Sequence, residues 1–369
     1  MIRQVWRGLD KWLILALLGL AAVGLTTLYA AVYQGDHALL YKQGMVWLAG
    51  LTLMFGICFV PLRFLGLASW PLYAIALLLL AAVPLVGEIH MGARRWLSLG
   101  LFSMQPSELM KWALIFVLAH WFASREANNW RHLLVAVVLI ALPSALIVIQ
   151  PDLGTTLVLI FSSTGVLIAA GLRWRVLLGT MLAAIAAAPV FWHFMHDYQR
   201  QRVLTFLDPQ SDPLGAGYHV IQSSIAIGSG GLLGKGFLQG TQARLHFLPE
   251  QHTDFIFSVL AEEAGLAGVV LLLSLYTLLI FRLIAIASQA SSRYGSMLCL
   301  GMASIFLLYV SVNIGMVSGL LPVVGVPLPF VSYGGSALMT MLVALGVVQR
   351  VAIESKGKLP WQRPGSPLA

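Results

Sequence analysis

Charged residues are scarce in this sequence: Asp, Glu, Lys and Arg make up 10% of its 369 residues, whereas 59% of the residues are hydrophobic. A soluble globular domain carries roughly 25% charged residues, so the composition excludes that class. Chains embedded in lipid satisfy their backbone polar groups as helices or closed barrels. The apolar stretches run for about 18–25 residues without the alternation of a barrel strand, and this length predicts membrane-spanning helices.

Cysteine and acidic residues are also few. The two cysteines, Cys58 and Cys299, both lie inside apolar stretches. They can form neither a disulfide framework nor a metal-thiolate cluster, and we expect them to be buried in helices. The 14 Asp and Glu are outnumbered by 22 Lys and Arg, which gives a formal net charge of +8. Such an excess can indicate nucleic-acid binding, but the positions of the basic residues indicate another explanation.

Ten apolar stretches predict ten transmembrane helices in a single domain over residues 1–369, which is an all-α polytopic membrane protein. The first stretch is too long for the hydrophobic region of a signal peptide, and we expect it to remain in place. A cytoplasmic tail follows from about residue 351. The predicted spans are residues 12–33, 43–62, 69–87, 106–122, 132–149, 154–171, 175–195, 254–281, 296–319 and 333–350.

The Lys and Arg residues predict that both termini face the cytoplasm. In that orientation fourteen of the 22 lie in cytoplasmic segments and three in short outer connections. The long outer loop between the seventh and eighth spans, residues 196–253, is set aside because long loops cross the membrane regardless of charge. The basic excess therefore faces anionic membrane lipid, and nucleic acid is not expected as a partner. Eight of the fourteen carboxylates fall on the outer, periplasmic side, which favours that side for chemistry.

The fourth predicted span begins QPSELMK and places two charges, Glu108 and Lys111, inside an apolar helix. Residues three apart share a helix face. A charge within a span costs about 2.5–3.5 kcal/mol, so such residues are functional by default. The pair is a candidate to hold a sugar hydroxyl or a pyrophosphate oxygen. The structural alternative is a self-neutralising pair that only fixes helix packing.

A second cluster of titratable residues, Glu250, His252 and Asp254, precedes the eighth predicted span. Asp254 is the last charge before an apolar run, where Asp is a favoured N-cap. The same position suits a general base at the membrane surface, and the density of the cluster favours chemistry. Cap and base remain open as interpretations of Asp254. Asp152, at the tip of the QPDLGT turn, is expected mainly to cap the sixth span but would face the same outer cavity.

Two adjacent carboxylates, Glu262 and Glu263, lie about two turns inside the eighth predicted span. Neighbours on a helix point about 100° apart, so both side chains cannot face one cavity. We therefore expect either that one of them contacts another helix or that the helix breaks near Gly265.

Several basic or glycine-rich positions are candidate pyrophosphate ligands. Arg95 lies in GARRW, and arginine forms paired hydrogen bonds with phosphate, although an Arg beside a Trp is also a common membrane anchor. Arg202 and Lys235, in the long loop, admit the same two interpretations. Ser332 and Gly334 belong to SYGGS, just before the tenth span, where consecutive backbone N–H groups either bind phosphate or form a plain turn.

Taken together, these segments resemble the SEDS family (shape, elongation, division, sporulation), and within it the members that maintain rod shape. The similar segments span most of residues 90–340 and are far more specific than any short motif. They are GARRW (92–96), QPSELMK (105–111), QPDLGT (150–155), HDYQRQRV (196–203), DPLGAGYHVIQS (212–223), AIGSGGLLGKGFLQGTQ (226–242), FLPEQHTDFIFSVLAEEAGL (247–266) and NIGMVSGLLPVVGVPLPFVSYGGSAL (313–338).

The resemblance implies a ten-span fold and a peptidoglycan glycosyltransferase of the bacterial inner membrane, which polymerises lipid II into glycan strands. It implies that Asp254 is the family's essential aspartate and Arg95 the arginine of its GxxRW motif. Glu108 and Lys111 match its paired charges. The implied partners are a class B penicillin-binding transpeptidase, other elongasome proteins and the nascent glycan strand. A divalent cation, Mg or Mn, is a further candidate cofactor, although no ligand cluster in the sequence fixes a metal site.

Two other functions remain open. One is a lipid II flippase, whose path the charges Glu108, Lys111 and Glu262 would line. The other is a non-enzymatic scaffold for cell-wall enzymes. A flippase would move labelled lipid II across liposomes without making polymer, and a scaffold would make no glycan strands even with its partner. The outward clustering of the carboxylates favours an enzyme over both.

Overall fold

The computed structural model is a bundle of long helices that follow the apolar stretches of the sequence. It describes residues 2–33, 35, 37–90, 93–98, 103–194, 197–208, 210, 216–244 and 250–356. A helix overlaps each of the ten predicted spans, and seven described helices are long and apolar enough to cross a membrane. The helices are α1 (Ile2–Gly8), α2 (Lys11–Val32), α3 (Ala38–Ile57), α4 (Leu62–Val86), α5 (Pro106–Phe122), α6 (Trp130–Ile149), α7 (Leu153–Ala169), α8 (Trp174–Phe194), α9 (Asp197–Leu207), α10 (Ala216–Ser229), α11 (Thr241–Arg244), α12 (Ile256–Ser288), α13 (Arg293–Val317) and α14 (Gly335–Lys356).

Local sequence signals fix where several helices begin. Pro106 occupies the first turn of α5, where its missing N–H has no partner to lose. Side-chain oxygens of the N-cap residues of α2, α6, α7 and α13 accept hydrogen bonds from backbone N–H groups of the first turn; these residues are Asp10, Asn129, Asp152 and Ser292. Each such cap stabilises a helix by about 1 kcal/mol.

The central helix of the bundle is α5. Of its 17 residues, 14 are buried, and α4, α6, α7 and α13 pack around it. A helix buried on all sides has no face that it can turn to solvent or lipid. Its two charged residues, Glu108 and Lys111, therefore face other parts of the protein.

The structure also contains a short β-sheet, which the all-α prediction did not include. Three strands pair antiparallel in chain order: β1 (Glu88–His90), β2 (Ala93–Ser98) and β3 (Ser103–Met104). They occupy the connection between α4 and α5, where strand pairing satisfies backbone groups that have left the helix. Because β2 packs against α4 and α5, Arg95 and Trp96 lie close to the start of α5.

The predicted loop of residues 196–253 is partly helical, since α9, α10 and α11 lie within it. The helix α10 packs against α12 and α13. Ser223 of α10 is fully buried and donates its hydroxyl to the carbonyl oxygen of Val317 (2.6 Å). This part of the loop is therefore packed onto the bundle.

The helix α12 is interrupted at Gly265, where φ is 62° and ψ is −159°, which is one of the two alternatives that the sequence left open. A segment of the preceding loop fills the interruption. The backbone N–H groups of residues 235–236 donate to the carbonyl oxygens of residues 262–263 (3.0 and 3.1 Å). The N–H groups of residues 266–267 donate to those of residues 231–232 (2.9 and 3.0 Å). The loop thus replaces helical hydrogen bonds that the break removes.

The connection from α13 to α14, residues 318–334, contains no helix or strand and packs into the bundle. We call it the α13–α14 segment. Its apolar side chains Val326, Leu328 and Phe330 are 3%, 1% and 2% exposed. It meets α7 at Gly154, where an added Cβ would lie 2.5 Å from the carbonyl oxygen of Val324. A glycine at this position of α7 therefore permits the close approach of the segment.

Candidate active site

A polar cavity with an empty volume of about 660 Å³ lies where α5 and α7 begin. Four of the predicted site residues line it: Glu108, Lys111, Asp254 and Gly334. Its other walls include β2, α7, α13 and the α13–α14 segment. The fold thus brings together predicted residues that lie more than two hundred positions apart in the sequence.

Asp254 lies in the turn of residues 250–255, immediately before α12. The helix begins at Ile256 with Phe255 in the N-cap position, so Asp254 is one residue ahead of the cap. Within the turn, the Thr253 hydroxyl donates to the Glu250 carboxylate (3.0 Å). This position differs from the N-cap that the sequence offered as one interpretation of Asp254.

Neighbouring segments fix the main chain around Asp254. Asn313 of α13 is fully buried, and its Nδ2 donates to the carbonyl oxygens of Asp254 (2.9 Å) and Val326 (2.7 Å). Gly325, with φ of 70°, lies beside the carboxylate, and a Cβ added there would be 3.4 Å from Asp254 Oδ2. The side chain of Asp254 lines the cavity, so these contacts hold a carboxylate at the cavity wall.

Glu108 and Lys111 form the charged pair that their spacing suggests. The distance from Lys111 Nζ to Glu108 Oε1 is 2.7 Å, and the two side chains are 2% and 6% exposed. Tyr309 of α13 joins them: Lys111 donates to its hydroxyl oxygen, and that hydroxyl lies 3.3 and 3.2 Å from the Glu108 oxygens. A buried ion pair needs such additional hydrogen bonds to offset desolvation. All three residues line the cavity, so the ion pair of Lys111 and Glu108 lies at its wall.

Asp152 and Arg95 organise the turn before α7. The Asp152 carboxylate accepts from the backbone N–H (3.1 Å) and the hydroxyl (2.9 Å) of Thr155, which caps the helix. Arg95 donates to the carbonyl oxygens of Gln150 (3.3 Å) and Pro151 (2.6 Å). Its Nη1 is 3.9 Å from Asp152 Oδ2, and its side chain is 28% exposed. Arg95 therefore ties β2 to this turn and keeps part of its side chain accessible.

The SYGGS sequence is tied to the turn that precedes α12. The Ser332 hydroxyl donates to the carbonyl oxygen of Thr253 (2.6 Å), and the N–H of Tyr333 donates to that of His252 (2.9 Å). The N–H of Gly334 donates to a glutamine side chain of α3 (3.4 Å). Because these groups already have partners within the protein, the geometry favours a structural turn over a phosphate-binding loop.

Other predicted site residues lie away from the cavity wall. Glu250 and His252 flank the cavity in the turn before α12 but do not line it. Lys235 pairs with the fully buried Glu262 (Nζ to Oε1, 2.7 Å), and the same carboxylate accepts from two backbone N–H groups of α11. Arg202 lies in α9, and its side chain is outside the described residues.

Two residues that the sequence analysis did not single out shape this site. Tyr309 and Asn313 lie four positions apart on α13, so both face the same side of the helix. One contacts the charged pair of α5, and the other contacts the main chain of Asp254. Asn313 could have been suspected, since an amide side chain within an apolar span is seldom placed without a polar partner.

This fold and cavity define a multi-pass helical membrane protein with a charged pocket between the ends of its helices. The sequence profile of the FTSW_RODA_SPOVE family, described as cell cycle proteins, matches residues 9–357. The chain belongs to this family, which confirms the resemblance found in the sequence.

Similar proteins with established names cover nearly the whole chain. Peptidoglycan glycosyltransferase MrdB of Escherichia coli K12 is 48% identical over 353 residues, which is 94% of each chain. A solved chain from a peptidoglycan synthase complex that coordinates polymerisation and crosslinking is 40% identical, with a TM-score of 0.82, and the match covers 94% of this chain and 98% of that one. The crystal structure of the rod shape determining protein RodA of Thermus thermophilus is 34% identical, with a TM-score of 0.71 and coverage of 93% and 96%.

Proposed function

We propose that this chain is a peptidoglycan glycosyltransferase that polymerises lipid II into glycan strands during cell elongation and rod-shape maintenance. One observation carries the proposal: the Asp254 carboxylate and the Lys111 ammonium line the same cavity. Transfer from a lipid-linked sugar needs a base for the acceptor hydroxyl and positive charge for the departing pyrophosphate. Membership of the family and the names of the relatives support the substrate class.

In the proposed reaction, the C4 hydroxyl oxygen of an acceptor GlcNAc attacks C1 of a donor MurNAc. The bond from C1 to the pyrophosphate oxygen breaks, and undecaprenyl pyrophosphate leaves. Asp254 takes the hydroxyl proton as the new bond forms, an effect worth about 10²–10⁴ in rate. Asn313 holds the main chain of Asp254 in place for this step.

Positive groups near the cavity stabilise the leaving pyrophosphate. Lys111 is held at the cavity wall by Glu108 and Tyr309. Arg95 of β2, beside the turn that precedes α7, has a partly exposed side chain, and a guanidinium is suited to paired hydrogen bonds with phosphate. Lys235 and Arg202 are weaker candidates, because Lys235 is paired with Glu262 and Arg202 lies in α9 of the long loop.

A divalent cation, Mg or Mn, remains a candidate cofactor. In the described ranges, no group of three or more His, Cys, Asp or Glu side chains could hold a metal ion. We therefore assign no metal ligands among the described residues, and the proposed mechanism takes no step through a metal ion. Comparing polymerisation in magnesium, in manganese and in a chelator measures any requirement for the ion.

The proposed topology has ten transmembrane helices in the inner membrane, with both termini in the cytoplasm and the cavity open to the periplasm. The long loop, residues 196–253, lies between the seventh and eighth spans on the periplasmic side. The charge distribution supports this orientation, because the basic excess of the short connections then faces the cytoplasm. Cysteine labelling from each side of the membrane tests it.

The proposed partner is a class B penicillin-binding transpeptidase within the elongasome. Glycan strands are useful only once they are crosslinked, so a polymerase benefits from a crosslinking enzyme beside it. The similar chain solved within a peptidoglycan synthase complex supports this arrangement.

The decisive experiment is a polymerisation assay with purified protein, its transpeptidase partner and lipid II. Asp254→Asn should lower the rate at least about 100-fold, because the amide cannot accept the proton, while its thermal unfolding stays close to that of the wild type. Asp10→Asn is the matched control, since Asp10 is a buried carboxylate at the opposite end of α12. Transport of labelled lipid II without polymer would favour a flippase. Wild-type protein that makes no strands would favour a scaffold.

A further inference from the structure

Five arginines lie at the end of the bundle opposite the polar cavity. They belong to the connections α5–α6 (residues 123–129), α7–α8 (170–173) and α12–α13 (289–292) or to the helix turns beside them. We call this surface the arginine corner, and its arginines are Arg125, Arg131, Arg173, Arg175 and Arg293. The helix α5 separates it from the cavity. The 17 residues of α5 span about 25 Å at 1.5 Å per residue, which is close to the hydrocarbon thickness of a bilayer.

Hydrogen bonds hold the three connections of the arginine corner together. The Asn128 side chain donates to a carbonyl oxygen of the α7–α8 connection (2.7 Å) and accepts from the backbone N–H of Arg173 (3.1 Å). The carbonyl oxygen of Ala170 accepts from the N–H of Ala127 (3.4 Å) and from Nη2 of Arg293 (3.4 Å). Arginines that are far apart in the sequence are therefore gathered on one surface.

Tryptophan rings contact three of these arginines. Arg125 Cζ lies 3.9 Å from the centre of the Trp121 ring, and its Nη1 donates to the carbonyl oxygen of the same residue (3.1 Å). Arg131 and Arg175 lie over the rings of the tryptophans that precede them, at 5.6 and 5.9 Å. Those two tryptophans are 68% and 67% exposed. Exposed tryptophan is typical of the interface between membrane and water, so the corner lies at the level of lipid head groups.

The positive charge of the arginine corner is not neutralised within the protein. Its connections and the adjoining turns hold one carboxylate, Glu126, against five arginines. In the part of the chain that the structure describes, none of the five forms an ion pair with a carboxylate. Two arginines elsewhere at this end of the bundle differ, since Arg282 pairs with Asp10 and Arg350 with Glu354. The corner therefore presents donors whose anionic acceptor comes from outside the chain.

We propose that the arginine corner binds the head group of an anionic phospholipid. A guanidinium is weakly hydrated, and its fork of N–H groups matches the oxygens of a phosphate. The acyl chains then lie along α6, where Trp130, Leu134 and Val137 share a helix face and are 68%, 55% and 50% exposed. A free phosphate uses the same arginines but gains nothing from this apolar face. The site thus takes a phosphate that is attached to a lipid.

The test measures binding of phosphatidylglycerol to the purified full chain in detergent. Native mass spectrometry counts the bound lipid, and the rise in the thermal unfolding midpoint gives the affinity, because a ligand of the folded state stabilises it. Phosphatidylglycerol should bind saturably, whereas phosphatidylethanolamine and inorganic phosphate should leave the midpoint unchanged. An equal rise with phosphatidylethanolamine or with inorganic phosphate would overturn the proposal.

The triple variant Arg125→Gln, Arg173→Gln, Arg293→Gln removes one arginine from each connection or its adjoining turn. Each basic residue near an anionic lipid surface contributes about a factor of five. We therefore expect phosphatidylglycerol to bind at least about tenfold more weakly to this variant. Unchanged binding would overturn the proposal.

The matched control removes the same charge from the same end of the bundle. It is the triple variant Arg7→Gln, Lys11→Gln, Arg63→Gln, whose residues are exposed on α1, α2 and α4. Its affinity for phosphatidylglycerol should stay within about twofold of the wild type, because these residues lie outside the arginine corner. Equal weakening in the two triple variants would overturn the proposal, since net charge alone would then explain the binding.

A single substitution keeps the test available if the triple variant of the corner does not fold. The exposed side chain of Arg173 makes no hydrogen bond within the described residues, so Arg173→Gln should fold normally. It should bind phosphatidylglycerol about fivefold more weakly, and unchanged binding would count against the site. These measurements involve neither lipid II nor polymerisation, so failure of the proposed function would leave this inference unaffected.

Discussion

An aspartate lies near each end of α12, and the two have very different surroundings. Asp10, beside the last turns of the helix, is 2% exposed and accepts from the N–H of Leu13 (2.9 Å) and from two nitrogens of Arg282. Asp254, before the first turn, lines the cavity, and Asn313 contacts its main chain. A carboxylate held by a guanidinium and a helix N-terminus stabilises the fold. A carboxylate whose main chain is held while its side chain faces a cavity suits chemistry.

The pKa of Asp10 agrees with this structural role. Burial acts to raise the pKa of its carboxyl group, but hydrogen bonds from Arg282 and Leu13 outweigh that effect and hold the pKa below its ordinary value of 3.8. The folded state therefore favours the charged form. The resulting stability is present above the unfolded pKa of 3.8 and is lost as the pH falls through the lower pKa of the folded state.

The largest effect on stability is expected from Lys111→Met, which would leave a carboxylate near the Asp254 end of the bundle without its positive partner. Glu108 would remain as a buried charge without its cation, a change that costs about 3–5 kcal/mol. We expect thermal unfolding in detergent to occur at a markedly lower temperature and polymerisation to be lost. The double variant Glu108→Gln, Lys111→Met should recover most of the stability but no polymerisation. A stable and active single variant would show that the pair is dispensable.

A smaller effect is expected from Asp10→Asn at the other end of the comparison. Loss of the charge-assisted hydrogen bonds with Arg282 should lower the free energy of unfolding by about 1–3 kcal/mol, while polymerisation per folded molecule stays unchanged. The difference in stability from the wild type should be greatest above pH 3.8 and should shrink as the pH falls below it. Loss of activity in folded Asp10→Asn protein would contradict the distinction between a structural aspartate, Asp10, and a catalytic aspartate, Asp254.

An effect on turnover more than on stability is expected from Asn313→Leu, which tests the role of the hydrogen bond to the Asp254 main chain. The substitution removes two hydrogen bonds to carbonyl oxygens, each worth about 1 kcal/mol. We expect kcat to fall about tenfold while KM changes less than about twofold. Tyr276→Phe is the control, because its hydroxyl donates to Pro329 of the α13–α14 segment (2.6 Å) outside the cavity lining. Equal losses in both variants would indicate a general loosening of the segment.

The helices were predictable because their signals are local. Apolar runs mark the spans, and Pro106 marks the start of α5. The spacing of Glu108 and Lys111 places both charges on one helix face, and the structure pairs them. The break at Gly265 was one of two alternatives predicted from the adjacent carboxylates Glu262 and Glu263, which cannot both face one cavity along a regular helix.

The remaining features depend on contacts between distant segments, which no local pattern encodes. Tyr309 completes the charged pair from a helix about two hundred positions away. Arg95 donates to the carbonyl oxygens of Gln150 and Pro151 in the turn before α7. The GARRW motif alone did not reveal these partners. The strands of the small sheet contain 3, 6 and 2 residues, too few for a recognisable alternation.

The interruption of α12 lets the long loop form main-chain hydrogen bonds with the helix that follows Asp254. Backbone groups within residues 231–236 form hydrogen bonds with backbone groups of α12 on both sides of Gly265. Displacing that stretch of loop requires those bonds to stretch or to break. The portion of α12 between its start at Ile256 and the break is about two and a half turns long. The long loop and the part of α12 that follows Asp254 are therefore joined by main-chain hydrogen bonds rather than by side-chain contacts alone.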